Sequence, residues 1–302
     1  MAAPALERLT GSPRGLAAIV ERRALVSAYQ PLTDLYTGEV VGYEALARGP
    51  RDSALARPDQ LFAAAREHGL ESELEWECQR AALSGALEAG LPGGQALFVN
   101  IEPSTLSAQR PEWLSHLRER AVKRFSVFAE FTERSLTDRP AELLAAVADL
   151  RALGVGIALD DVGADPRSLA LMPFLAPDVI KLDLRLVQEN PSIQVAEIVH
   201  AVSAQAERTG ATVLAEGIET EEHRRTALAL GARYGQGWLF GRPGPLPRGG
   251  APAPSPIPRA PYRREPYHHT PFELVTASHS TRRGTKRLLL ALSLQIEAYA
   301  PS

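Results

Sequence analysis

Between residues 24 and 243, short apolar runs alternate with longer amphipathic stretches. The runs LVSAYQPL, VVGYEALAR, ALFVNI, VFAEFT, VGIALD, VIKLD, TVLAEG and YGQGWLF are rich in β-branched and aromatic residues, which predicts strands. The stretches DQLFAAAREHG, ELEWECQRAALSGALEAG, PAELLAAVADLRALG, IQVAEIVHAVSAQAERTG and EEHRRTALALGA carry apolar residues at helical spacing. Several end in glycine, which takes the left-handed conformation that closes a helix. Alternation of strand and helix predicts an α/β fold with a mostly parallel sheet. Eight strands in roughly 220 residues fit a closed (β/α)8, TIM-like barrel better than a doubly wound sheet. The first two runs have no helix between them, so they are predicted to form an antiparallel hairpin around Tyr36-Thr37-Gly38.

The pattern changes once, near residue 244. From Gly244 to Pro271 the chain reads GPLPRGGAPAPSPIPRAPYRREPYHHTP, too proline-dense for a regular helix or a central strand. Beyond it, FELVTAS predicts a short strand and TRRGTKRLLLALSLQIEAYA a helix. Four segments follow: an N-terminal extension (1–23), the barrel (24–243), a Pro-rich linker (244–271) and a C-terminal strand–helix piece (272–302), too small for a core of its own.

The 302 residues are 45% hydrophobic, enough for a sizeable core. A net charge of -3 gives no basic footprint for nucleic acid. Cys78, the one cysteine, excludes an internal disulfide framework and a Cys-rich zinc site. No apolar run of about 18 residues predicts a membrane helix, and no secretory leader is legible. The expected location is the cytoplasm.

The chemistry lies where apolar runs end. Glu44, Asn100, Glu130, Asp160-Asp161, Lys181 and Glu216 each follow an apolar stretch of a predicted strand. Side chains alternate along a strand, so Phe98 and Asn100, Ala158 and Asp160, and Leu214 and Glu216 share faces. In a parallel barrel such strand ends converge on one mouth. Five carboxylates there repel, unless protons or cations neutralise them. Oxygen ligands without His or Cys favour a hard cation such as Mg2+ or Mn2+. Two such cations suit in-line attack on a phosphodiester, and Lys181 adds a positive charge for a phosphate or a hydroxide.

These residues resemble the EAL domain, a family of cyclic di-GMP phosphodiesterases. The triplet Glu44-Ala45-Leu46 stands within AYQPLTDLYTGEVVGYEALAR, and VNIEPSTL, AEFTE, DDVG, IKLD, AEGIET and GQGWLFGRP follow in order. The resemblance implies a barrel with an antiparallel first strand, hydrolysis of cyclic di-GMP to linear pGpG, and a homodimer through the barrel. It implies a metal shell of Glu44, Asn100, Glu130, Asp160, Asp161 and Glu216 around two divalent cations. Lys181 is then the residue that holds or deprotonates the attacking water, supported by Glu219 and Gln236. Gln30, Leu46 and Arg48 resemble substrate contacts, with Arg48 on a phosphate. Glu133 resembles the residue that holds the loop after the paired aspartates.

That loop departs from the family, which reads D-D-F-G-T-G-Y-S-S-L where this chain has DDVGADPRSL. A second reading therefore stays open: a weakly active or inactive barrel that binds cyclic di-GMP as an effector or scaffold. Cys78 reads as a core thiol, Trp76 and Trp113 as packing residues, and Trp238 as ambiguous because it follows Gln236 at the mouth. The segment PFELVTASHSTRRGTKRLLLALSLQIEAYA is similar, less specifically, to the start of a DICT sensory domain.

Overall fold

The computed structural model describes residues 13–105, 110–132, 140–163, 172–188, 193–247 and 256–259, all within one compact unit, Met1–Ala260. The predicted C-terminal strand and helix (272–302) lie outside the described residues.

Eight strands close in chain order into a barrel: β1 (Val26–Asp34), β2 (Val40–Arg48), β3 (Ala96–Asn100), β4 (Ser126–Thr132), β5 (Gly156–Val162), β6 (Val179–Leu182), β7 (Thr212–Ala215) and β8 (Tyr234–Gln236). Strand β1 runs antiparallel to both β2 and β8, while every other neighbouring pair is parallel. The β1–β2 reversal is built locally. Asp34 Oδ1 accepts the backbone N–H of Tyr36 (2.9 Å) and of Thr37 (3.1 Å), and Gly38 takes φ 76°.

The helices are α1 (Pro13–Glu21), α2 (Pro58–His68), α3 (Glu71–Ala89), α4 (Glu112–Val122), α5 (Pro140–Ala152), α6 (Met172–Leu175), α7 (Leu184–Gln188), α8 (Ile193–Thr209) and α9 (Glu221–Ala229). All five helices predicted within residues 24–243 form. Gly69 and Gly90 close α2 and α3 in the left-handed region, as their positions in the sequence imply. Helix α4 carried no clear stripe in EWLSHLRERAV, and α6 and α7 are too short to show a period.

One apolar layer fills the barrel: Leu32, Ala96, Phe98, Phe128, Ala158, Val179, Leu214 and Tyr234 are buried together. Phe98 and Phe128 stack with centroids 4.7 Å apart. Space for Phe128 is made by Gly156, where a Cβ would stand 2.5 Å from the ring.

Two stretches that the pattern placed outside the barrel contribute to its packing. In the first, Leu16 and Ile19 of α1 are fully buried against Leu25, Leu55, Leu61 and Leu74. In the second, the backbones of Gly244 and Tyr29 exchange two hydrogen bonds (2.7 and 3.0 Å). Ile257, within the Pro-rich stretch, is 2% exposed and joins the interior apolar layer. Beside it the Arg259 guanidinium lies 5.9 Å from the Phe128 ring centre. Proline density excludes a helix here, and an isoleucine between two prolines can still fill a gap.

Candidate active site

The site stands one pleat above the apolar layer. Two residues on from Phe98, Phe128, Ala158, Val179, Leu214 and Tyr234 come Asn100, Glu130, Asp160, Lys181, Glu216 and Gln236. Strand β1 runs the other way, so its polar member, Gln30, precedes Leu32 by two. Glu44 follows Gly42, where a Cβ would collide with the Ala96 carbonyl at 2.4 Å. A single step along each strand thus turns an apolar interior into a polar one.

Lys181 is the centre of this polar layer and is fully buried. Its Nζ lies 2.7 Å from Glu130 Oε1, 2.9 Å from Asp160 Oδ1, 2.9 Å from Glu216 Oε1 and 3.6 Å from Glu44 Oε2. Four carboxylates therefore face one ammonium. Apart from that ammonium, no hydrogen-bond donor among the described residues reaches either oxygen of Glu130 or Asp160 Oδ1. Burial pulls the Lys181 pKa down, but Asp160, Glu130, Glu216 and Glu44 together raise it well above the usual lysine value. Burial drives the Glu130 carboxyl well above its ordinary range, with Glu44 adding to the rise. Glu216 is pushed up to about 8 by burial, only partly offset by Lys181. For Glu44 burial is outweighed by Lys181 and by two amide donors, so its pKa is lowered. Those donors are Gln236 Nε2 (2.6 Å) and Asn100 Nδ2 (3.0 Å).

Asp160 and Asp161 are adjacent, so a regular strand would send them to opposite faces. Here β5 slips in register against β6 between Leu159 and Val162, and Asp161 takes φ 57°. Such a bulge re-aims a side chain, and aspartate tolerates this region better than most residues. One oxygen each from Asp160, Asp161 and Glu216 then lie within 4.8 Å of one another, a group able to hold a metal ion. Carboxylate oxygens in excess of their one ammonium, several of them without another donor among the described residues, suit a hard divalent cation.

The other expected residues are placed as follows. Gln236 Nε2 also donates to Gln30 Oε1 (3.0 Å), and Gln30 Nε2 donates to the Gly241 carbonyl (3.2 Å), tying β1, β2 and β8 together at the mouth. Leu46 and Asn100 line a cavity of about 490 Å3 beside Glu130. Arg48 ends β2, with Nη1 donating to the Ala47 carbonyl (2.8 Å). Glu219 is exposed, and its backbone N–H donates to His223 Nδ1 (3.3 Å). Glu133 and the variant loop after Gly163 lie outside the described residues. Trp238 is 53% exposed, with the Arg242 guanidinium 3.8 Å from its ring centre.

The sequence reading missed a polar cluster behind the site. Glu75 and Gln79 of α3 and Arg118 of α4 are buried. Glu75 Oε1 accepts Gln79 Nε2 (2.8 Å) and the backbone N–H of Glu102 (3.3 Å), and Arg118 Nη2 donates to Gln79 Oε1. Burial lifts the Glu75 carboxyl to about 7. The available signal was an i, i+4 Glu–Gln pair flanked by Leu74 and Ala82, which an apolar stripe count passes over.

The EAL domain pattern matches residues 15–243. The chain belongs to the EAL domain family. The EAL barrel is 32% identical over 222 residues to the cyclic di-GMP phosphodiesterase RocR of Pseudomonas aeruginosa, covering 72% of this chain and 57% of RocR. It is similar to Klebsiella pneumoniae BlrP1 in complex with manganese and cyclic di-GMP (29% identity, TM-score 0.64, 73% of this chain, 56% of that one). The calcium complex of the same protein matches at 30% identity, again with a TM-score of 0.64 and the same two coverages. The chain spans from 26% to 57% of the length of the first curated relatives it matches. No helix among the described residues is long and apolar enough to cross a membrane.

Proposed function

We propose that this EAL barrel hydrolyses one phosphodiester of cyclic di-GMP to linear pGpG with two divalent cations, Mg2+ or Mn2+. The observation that carries the reading is the Lys181 cage, four carboxylates on one buried ammonium, with the Glu130 oxygens and Asp160 Oδ1 reached by no other donor among the described residues. Glu44, Asn100, Glu130, Asp160, Asp161 and Glu216 would hold the cations. Bound cations lower the pKa of water and offset the charge that grows on the phosphate.

The chain's own residues do the rest. Lys181, at the centre of the cage, holds the attacking water or takes its proton. Gln236 positions Glu44 and is itself aligned by Gln30. Arg48, at the end of β2, meets a substrate phosphate with its planar fork. The adjoining cavity, with Phe62, Asp59 and Arg66 in its wall, has room for a purine base. In the overall step a water oxygen bonds to phosphorus, the P–O3′ bond breaks, and the water's proton ends on the 3′ oxygen. We place the protein in the cytoplasm as a homodimer through the barrel, with no nucleic-acid partner.

A receptor that binds cyclic di-GMP without cleaving it is expected to lack a metal ligand, and all six ligand positions are occupied by donors. The test is incubation with cyclic di-GMP and Mg2+ or Mn2+, followed by chromatography. Formation of pGpG supports the reading; tight binding with no pGpG overturns it in favour of the receptor. Arg48→Ala is expected to raise KM far more than it lowers kcat, and unchanged affinity would remove the phosphate contact from the scheme.

A further inference from the structure

Asn100 differs from the other members of the polar layer. It is exposed, it ends its strand, and the chain leaves the barrel immediately after it. Its amide donates to Glu44 Oε1 (3.0 Å), so its direction bears on two positions of the proposed cation shell. A displacement of the backbone at Asn100 would carry that amide with it.

Two hydrogen bonds hold the chain just past Asn100. The N–H of Ile101 continues the β3–β4 ladder to the Glu130 carbonyl (3.0 Å). The N–H of Glu102 goes to Glu75 Oε1 (3.3 Å). The first is sheet geometry. The second is supplied by a side chain from α3, and a buried carboxylate there is costly unless its hydrogen bonds are made. Gln79 donates to the same oxygen and passes the contact on to Arg118 of α4. Glu75 is thus fixed from two helices, the one before β3 and the one before β4, and it lines the same cavity as Asn100 and Glu130.

We infer that Glu75 is a positioning residue for the cation shell: it clamps the Glu102 N–H and so sets the Asn100 amide against Glu44. This rests on the reading of Asn100 as a cation ligand. The residues behind metal ligands commonly change metal affinity by about 10- to 100-fold when removed.

The experiment is Mn2+ titration by calorimetry, with kcat and KM for cyclic di-GMP, on Asn100→Ala, Glu75→Leu, Glu75→Gln and the double variant Asn100→Ala/Glu75→Leu. Asn100→Ala is expected to weaken Mn2+ binding; unchanged binding there overturns the cation reading itself. Glu75→Leu is expected to weaken Mn2+ by about tenfold and to lower kcat with KM little changed. The double variant should bind Mn2+ no worse than Asn100→Ala alone, because Glu75 acts through Asn100. Glu75→Gln keeps an acceptor oxygen for both donors and should bind Mn2+ within about twofold of wild type. Wild-type Mn2+ affinity in Glu75→Leu, additive losses in the double variant, or a Glu75→Gln protein as weak as Glu75→Leu would each overturn the inference while leaving the cation reading standing. Should Glu75→Leu fail to fold, Glu75→Asp carries the test. It retracts the oxygen by one carbon, and its Mn2+ affinity must fall, with wild-type affinity overturning the inference.

Discussion

The two layers inside the barrel are built by the same strands, one pleat apart, and have opposite physics. In the lower layer Phe98, Phe128, Ala158, Val179 and Leu214 are packed with Ile257, and burial stabilises the fold. In the upper layer Lys181 is buried among Glu44, Glu130, Asp160 and Glu216, and burial raises the pKa of Glu130 and Glu216. The apolar layer excludes water from beneath the charges, which strengthens every charge interaction above it. It also fixes the strands, so that side chains from β2, β4 and β5 and from the residue after β7 meet on the β6 lysine nitrogen. The difference teaches where stability and chemistry reside. The lower layer holds the barrel together, and the upper layer carries surplus negative charge that the proposed cations would offset.

The strongest way to break this division is to remove the centre of the upper layer. Lys181→Ala is expected to lower kcat by about a thousandfold or more. It should also destabilise the cation-free protein by about 3–5 kcal/mol, because four carboxylates lose their buried partner. Kinetics with Mn2+ and thermal melting in a chelator check the two effects, and retained hydrolysis would remove Lys181 from the chemistry.

Asp160→Asn separates them. It removes a ligand charge, so hydrolysis should fall by roughly 10²-fold or more. It also removes surplus negative charge, so the chelated protein should melt no lower than wild type. A clear drop in Tm without cations would show that the upper layer contributes stability after all.

In the lower layer the expectation is reversed. Ile257→Ala should cost about 2–4 kcal/mol with kcat unchanged at temperatures where the barrel is folded. A chain ending at Ala260 should melt like the full chain, whereas one ending at Pro245 should melt lower by roughly 5 °C or more and still cleave cyclic di-GMP. Equal melting of the two truncations would show that Ile257 is dispensable to the barrel.

The last effect is linkage to pH. Glu216, held near 8 when folded and at the ordinary carboxylate value when unfolded, binds an extra proton in the folded protein between those values. Cation-free stability should therefore fall as pH rises from about 5 to about 8. A cation must displace that proton, so Mn2+ affinity should rise with pH and level off above about 8. Melting curves at pH 6 and pH 9, with and without Mn2+, check both signs. A Tm that rises with pH in chelator would contradict the proton-holding Glu216.

Much of this was legible along the chain. The eight apolar runs, the glycine-terminated helices and the Tyr36-Thr37-Gly38 reversal depend on local conformational preference, which neighbouring residues encode. The ordered polar residues at strand ends also stood out, because two-residue periodicity places Asn100 with Phe98 and Asp160 with Ala158. The burial of Ile257 was not legible, because a proline-rich composition describes backbone habit and says nothing of what the segment packs against. Nor was the Glu75–Gln79–Arg118 cluster, whose partners lie on separate helices and on a loop N–H.

Sequence alone determined which strand each site residue rides on, which layer it enters and what charge it brings, since these follow from chain order and the alternation of side chains. Tertiary structure decided three further things. Barrel closure set which carboxylates share one ammonium, because that requires strands far apart in the chain to meet. The β5 bulge kept Asp161 beside Asp160, where the pleat alone would separate them. Burial then set which carboxyls hold protons, because the cost of a charge depends on what surrounds it and not on its neighbours in sequence.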